Sequence, residues 1–260
     1  MINATFWNVR GLNRRDHQVS VIDLVSAQHL HFIALLEARV ASSNVARVQR
    51  GMLPRWNYYT DYGGPGSRIW LAWDDDFVDV NVVETGEQVL WAELARLSTG
   101  TTNLPWLVGG DFNVVLDASE VCGQSGDIRA AAEEFQSCLQ DTGLITLPMQ
   151  GERFTWHNCS RDSRSLWKRL GRLLVNDRWL ASWPYTSYVC LNARTFDHSP
   201  LVLRGDNNGR TVGMFRFDNY LARSTEFRPS VWRIWQHRIM GTAMYAVTRK
   251  LKALKSIFRA

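Results

Sequence analysis

Four polar signals stand where short apolar runs end: Asn8 after Thr5–Trp7, Glu37 after His31–Leu36, the pair Asp111 and Asn113, and Asp197 with His198. Hydrolysis of a phosphodiester needs these residue types. One or two carboxylates hold a hard cation through oxygen, and another takes a proton from water. A histidine and amide donors then offset the charge growing on the phosphate. Taken singly, each is a weak signal, because a Glu after a strand reads more readily as a solvated terminus and a His as an exposed or satisfied side chain. The weight lies in the set and in its order along the chain.

The elements that would carry these residues are legible from hydrophobic periodicity. Thr5–Val9 and His31–Leu36 are apolar runs of strand length, separated by a helical pattern of Val21, Ile22, Leu24 and Val25. A second amphipathic stretch, 44–53, leads to strands at 56–59, 68–73 and 77–83, with a Gly63–Gly66 turn among them. Leu90, Leu94 and Leu97 form a helical stripe that Gly100 can stop. Leu104–Gly109 is another buried-strand run, and it delivers Gly110-Asp111-Phe112-Asn113 at its tip. Asp127 can cap a helix bearing Ala131, Phe135, Cys138 and Leu139 and ending at Gly143, and strands are expected at 154–157, 170–175 and 188–193. Strands mixed with helices, without a repeat, indicate a layered α/β (α+β) domain.

Composition narrows the class further. Hydrophobic residues make up 45 % and charged residues 21 % of 260 residues, which suits a soluble globular chain, and most of the 12 Trp are expected in the core. No run approaches the ~20 apolar residues of a membrane span, and the N-terminus lacks a secretory pattern, so an intracellular location without a membrane partner is expected. Cys122, Cys138, Cys159 and Cys190 lack zinc-type spacing and are expected as buried thiols. Net charge is uneven. Residues 204–260 carry 12 Lys/Arg against 3 Asp/Glu, and residues 1–203 carry 18 against 22. A domain over 1–203 and a basic, mainly helical segment over 204–260 are therefore expected, the latter suited to a polyphosphate partner. Within it Met240, Met244, Val247, Leu251, Leu254 and Phe258 follow a heptad-like seam.

Trp7-Asn8-Val9-Arg10-Gly11-Leu12-Asn13, Leu35-Leu36-Glu37-Ala38-Arg39, Gly110-Asp111-Phe112-Asn113 and Asp197-His198-Ser199-Pro200 resemble, in order, the motifs of apurinic-endonuclease-like members of the endonuclease/exonuclease/phosphatase superfamily. Phe154-Thr155-Trp156, Lys168-Arg169-Leu170 and Phe215–Tyr220 extend the resemblance to the endonuclease domain of plant LINE-type non-LTR retrotransposons. That resemblance implies a four-layer α/β/β/α sandwich of the DNase I type with a C-terminal helical connector cut off before a reverse transcriptase. It implies a DNA-nicking endonuclease that uses Mg²⁺ or Mn²⁺, with DNA as partner and a nuclear location. Glu37, with Asn8 and Asp197, would hold the metal, and Asn8 would also lie near the phosphate. Asp111 would orient or deprotonate the attacking water, Asn113 would donate to the phosphate, and His198 would stabilise the pentacovalent oxyanion.

Two departures from the pattern bear on activity. Gly171 stands where the resemblance places an Asp that holds the catalytic His, and loss of such a partner costs about 10- to 100-fold or more. Between Val83 and Trp91 the chain is too short for two strands that the family carries, so those strands are expected to be missing. The alternative to a nicking enzyme is a catalytically inactive retroelement fragment that binds nucleic acid through its basic C-terminal segment. A phosphatase of phospholipids or small phosphoesters is a third reading.

Overall fold

Alternation along β1 (Ala4–Asn8) separates two cores: Trp7 joins one apolar cluster, whereas Ala4 and Phe6 join another. The structure, a computed structural model, describes residues 2–61, 67–84, 91–205, 227–237, 239, 247, 249–251, 253 and 254. After β1 come α1 (Arg15–Gln28), β2 (Phe32–Val40), α2 (Val45–Met52), β3 (Asn57–Thr60), β4 (Ser67–Trp73) and α3 (Trp91–Gly100). Next are β5 (Leu107–Asp111), β6 (Val121–Cys122), α4 (Arg129–Thr142), β7 (Ile145–Thr146), β8 (Met149–Gly151), β9 (Trp156–His157) and β10 (Trp167–Lys168). The series ends with β11 (Gly171–Val175), α5 (Asp177–Ser182), β12 (Ser187–Cys190), β13 (Leu201–Arg204) and α6 (Phe227–Gln236).

Seven strands form one sheet in the order β3-β4-β2-β1-β13-β12-β8, and β5-β11-β7 form a second. Three cores make these into four layers. Val21, Leu24 and Val25 of α1 and Val45, Val48 and Met52 of α2 pack on Trp7, Ile33, Leu35 and Trp70 of the large sheet. Its other face, through Ala4, Tyr188, Leu201 and Leu203, meets Leu173 and Val175 of β11. Leu174 points the opposite way, toward Phe135 of α4 and Trp91 of α3. The architecture is the expected α/β/β/α order. A third, three-stranded sheet, β6-β10-β9, is antiparallel throughout.

The chain divides into two units, Met1–Thr211 and Val212–Ala260. Described parts of the second include α6 and, in helical conformation, Val247, Arg249–Leu251, Ala253 and Leu254. Lys250 Nζ donates to the Trp235 carbonyl at 2.7 Å and lies over its ring. The Phe215–Tyr220 motif, Met240, Met244 and Phe258 of the heptad-like seam, the Gly63–Gly66 turn and residues 85–90 lie outside the described residues. No helix among the described residues is long and apolar enough to cross a membrane.

Several expectations need correction. Residues 77–83 are not a strand: Asp74 accepts the backbone N–H groups of Phe77 and Val78, and its carboxylate caps Asp76 N. That turn takes the chain off the sheet, leaving Val83 exposed and Phe77 stacked on His31. Among the described residues no strand then lies between β4 and α3, and none pairs with the outer edge of β5. Cys138 and Cys190 are buried as expected, but Cys122, on a two-residue strand, and Cys159, at φ 58° in a loop, are exposed.

Behind β5 and β11 a buried ion pair ties the segment after Asn113 to β11. Arg172 is fully buried, and its guanidinium donates to both Glu120 oxygens, at 2.8 Å to Oε1, with Arg169 at 3.6 Å. Glu120 also accepts Leu116 N. Removing one partner leaves an uncompensated charge in the core, which costs about 3–5 kcal/mol. Glu120→Ala is therefore expected to lower the unfolding free energy by about that amount, seen as a fall in the urea midpoint at unchanged slope.

Candidate active site

The tips of β1, β2 and β5 bring three of the motif residues into one hydrogen-bonded group. β1 and β2 run parallel with Asn8 beside Leu36, so the residue after Leu36 lies at the same end as Asn8. β2 does not stop there, as the apolar run suggested, but continues to Val40 through an irregularity. Pairing with β4 passes from Leu36↔Ile69 to Val40↔Ser67, and within this bulge Glu37 and Arg39 take left-handed conformations, φ 52° and 48°. Bulges re-aim side chains, and non-glycine residues held in this region carry strain that clusters at functional sites. Asn8 Nδ2 donates to Glu37 Oε1 at 2.9 Å and to Asp111 Oδ2 at 3.0 Å, while its Oδ1 accepts Arg10 N at 3.2 Å.

Asp111 reaches this group because β5 can lie close to β1. A Cβ on Gly109 would sit 2.7 Å from both Leu173 Cδ2 and Phe6 Cδ1, inside any tolerable contact, so only glycine permits the approach of the two sheets there. Asn113, at φ 55°, donates its backbone N–H to Asp111 Oδ1 at 3.1 Å, a local turn that Asn tolerates well. His198 Nδ1 lies 3.4 Å from Asp111 Oδ2. The His198 main chain is held on several sides: Trp7 Nε1 donates to its carbonyl at 2.9 Å, it bridges to Trp156, and Ser199 N donates to Thr155 O at 2.9 Å. Its Nε2 is buried without a partner.

Two arginines complete the electrostatics. Arg10 Nη1 pairs with Asp197 Oδ2 at 2.7 Å, and Arg39 pairs with Glu37 Oε2. Partial burial pushes the Glu37 carboxyl up, but the Asn8 hydrogen bond and the Arg39 and Arg10 charges outweigh it and hold it below its ordinary value. Burial pushes the His198 imidazole below its ordinary value against the pull of Asp111 and Asp197. Sequence reasoning treated Arg10 and Arg39 only as flanking letters of their motifs. Each follows a site residue by two positions, Asn8 and Glu37, and that shared spacing is the signal that could have singled them out.

The structure thus unites Asn8, Glu37, Asp111 and His198 by side-chain contacts, attaches Asn113 through its backbone, and joins Asp197 through Arg10. A cavity of about 970 Å³ opens beside the group, with Asn8, Glu37, Asp111 and Asn113 at its polar side and Leu36, Leu94, Trp106 and Val108 among its apolar walls. Among the described residues no three His, Cys, Asp or Glu side chains form a ready-made metal cage. The donors at hand are carboxylate and amide oxygens, Glu37, Asn8 Oδ1 and Asp197. They fit a hard ion of the Mg²⁺ kind, which keeps several waters and takes only one or two protein carboxylates.

Residues 5–198, from the first site strand through His198, match the Endonuclease/Exonuclease/phosphatase family. The chain belongs to that family. Solved structures share the Endonuclease/Exonuclease/phosphatase fold at low identity. The 3′-5′ exonuclease NExo from Neisseria meningitidis is 17 % identical, with a TM-score of 0.59, 79 % of this chain and 100 % of that one being covered. AP endonuclease LMAP from Leishmania major is 15 % identical, with a TM-score of 0.59 and coverage of 80 % and 88 %. The endonuclease domain of TRAS1, a telomere-specific non-LTR retrotransposon, is 11 % identical, with a TM-score of 0.54 and coverage of 81 % and 100 %. A search of curated protein sequences finds no match.

Depression of the His198 pKa has a definite sign in stability. The unfolded imidazole binds its proton near 6.5 and the folded one only at lower pH. Between the two the unfolded chain holds more protons, so stability is complete above about 6.5 and is lost as pH falls toward the folded value. The urea midpoint is expected to fall from about pH 7.5 to about pH 5.5, and to fall less in His198→Asn, measured side by side.

Proposed function

We propose that this chain is a divalent-metal-dependent phosphodiesterase that nicks DNA, derived from the endonuclease domain of a plant LINE-type non-LTR retrotransposon. The observation that carries the proposal is the single amide of Asn8 bridging Glu37 and Asp111, with His198 against the same Asp111 oxygen. Residues 8, 37, 111 and 198 have no local reason to meet, and their union recreates the donor set that phosphodiester hydrolysis requires. The retroelement origin is supported by the motif series, by the similarity to the TRAS1 endonuclease domain and by the basic segment after residue 204.

In this reading Glu37 is the principal ligand of Mg²⁺ or Mn²⁺, with Asn8 and Asp197 completing the oxygen donors. The bound ion would offset negative charge on the phosphoryl oxygens. Asp111 faces the attacking water and takes its proton, and Asn113 donates to a phosphoryl oxygen. A phosphate beside His198 favours the imidazolium, whose Nε2–H then stabilises the oxyanion. Arg10 pairs with Asp197, and the Arg39 and Arg10 charges help hold the Glu37 carboxyl below its ordinary value. DNA is the expected partner because the basic residues of 204–260 give a salt-dependent grip on a polyphosphate.

A second reading, a nucleic-acid-binding fragment that does not cut, is favoured by two observations: position 171 supplies no carboxylate, and the outer edge of β5 pairs with no described strand. Plasmid relaxation separates the two. Supercoiled DNA with Mg²⁺ or Mn²⁺ is expected to become open circles, chelation to stop this, and Glu37→Ala or Asp111→Ala to slow it by at least about 100-fold. Salt-sensitive retention of DNA without any nicking would establish the second reading instead. Release of phosphate from soluble phosphoesters, with plasmid untouched, would point to a phosphatase.

A further inference from the structure

His198 is 3 % exposed, and its main chain is fixed by Trp7, Trp156 and the Ser199–Thr155 bond, so rotation of the ring is the freedom that remains. An imidazole in such a place acts usefully in one tautomer and one orientation, which a carboxylate on one ring nitrogen imposes. Among the described residues, Asp111 alone brings a carboxylate oxygen within ion-pair range of the His198 ring, 3.4 Å from Nδ1. That separation is slightly beyond an ordinary N–H···O bond, as in many ligand-free sites whose contacts tighten when substrate binds. The Asp111 carboxylate is itself locked, with Asn8 Nδ2 on Oδ2 and Asn113 N on Oδ1.

The β5–β11 register adds an independent observation. Gly171 lies directly opposite Asp111 in the antiparallel ladder, and directly opposed residues project from the same face with Cβ atoms about 4.5–5.5 Å apart. Among the described residues, the direct cross-strand neighbour of Asp111 therefore adds no side chain to that face. Thr155 and Leu201, the groups nearest the open position, flank His198 in the chain or in space.

We propose that Asp111 is the positioning residue for His198, holding its proton on Nδ1 and leaving Nε2 to meet the substrate, and that it has this duty because position 171 is glycine. Asp111 then serves two neighbours at once, the imidazole and the attacking water. The proposal deepens the hydrolase reading and rests on it for its catalytic meaning, but the tautomer is a property of the ligand-free protein and is measured without turnover.

Long-range ¹H–¹⁵N correlation spectra of the full chain at neutral pH, with His198 assigned by its loss in His198→Asn, read the tautomer directly. In the wild type the proton is expected on Nδ1. In Asp111→Ala the Nε2–H form, the one imidazole prefers in water, should become dominant. Adding Gly171→Asp to that variant should return the proton to Nδ1. The new Cβ would meet Leu201 Cδ1 at 3.1 Å and Thr155 Oγ1 at 3.4 Å, the closer contact being the end of a flexible side chain. A proton on Nε2 in the wild type overturns the proposal by itself, whether or not the variants fold. Persistence of Nδ1–H in Asp111→Ala also overturns it, and failure of the double variant to restore Nδ1–H overturns the part assigned to position 171. If the tautomers shift as expected but no form of the protein nicks DNA, the hydrolase reading fails and the positioning assignment stands.

Discussion

Two carboxylates on different sheets repel each other unless something between them donates to both, and here the Asn8 amide does so. Its two N–H bonds go to Glu37 and Asp111, and its oxygen takes Arg10 N, so every polar atom of the side chain is used and its orientation is fixed. For that bridge to span, β5 must come within side-chain reach of β1. Gly109 makes this possible by presenting no side chain to Phe6 and Leu173. The bulge in β2 then turns Glu37 into the gap from the other side. The site depends on one amide, one absent side chain and one local distortion acting together.

Much of this was legible in the sequence, for a physical reason. Buried strands read as apolar runs, and a polar residue that interrupts such a run at its end is conspicuous; Asn8, Glu37 and Asp111 were found that way. The helices at 15–28 and 129–142 follow from period-3.6 patterning, with His29 and Gly143 in the left-handed conformation that ends them. What stayed hidden was long-range. The continuation of β2 through Glu37 depends on pairing with β4, and no local pattern announces it. Arg10 and Arg39 look like solvated flanks until their carboxylate partners, far away in sequence in one case, are placed beside them. The strand expected at 77–83 alternates correctly, but an acidic turn at Asp74 takes the chain off the sheet. Alternation states a capacity to pair, and pairing itself requires a partner.

Gly171 and Asp111 face each other across one ladder, and the cavity of about 970 Å³ borders the same strand, β5. Among the described residues no strand pairs with the outer edge of β5, and Asp111 is held by bonds from Asn8 and Asn113. On the opposite side, the buried Arg172–Glu120 pair anchors the segment that follows Asn113.

Trp7 belongs to both halves of the protein's economy. Its ring packs in the core under α1 and α2, at 4.5 Å from Phe196, and its indole N–H holds the His198 carbonyl. One side chain thus fills the interior with its ring and, through its indole N–H, anchors the backbone from which the His198 imidazole projects.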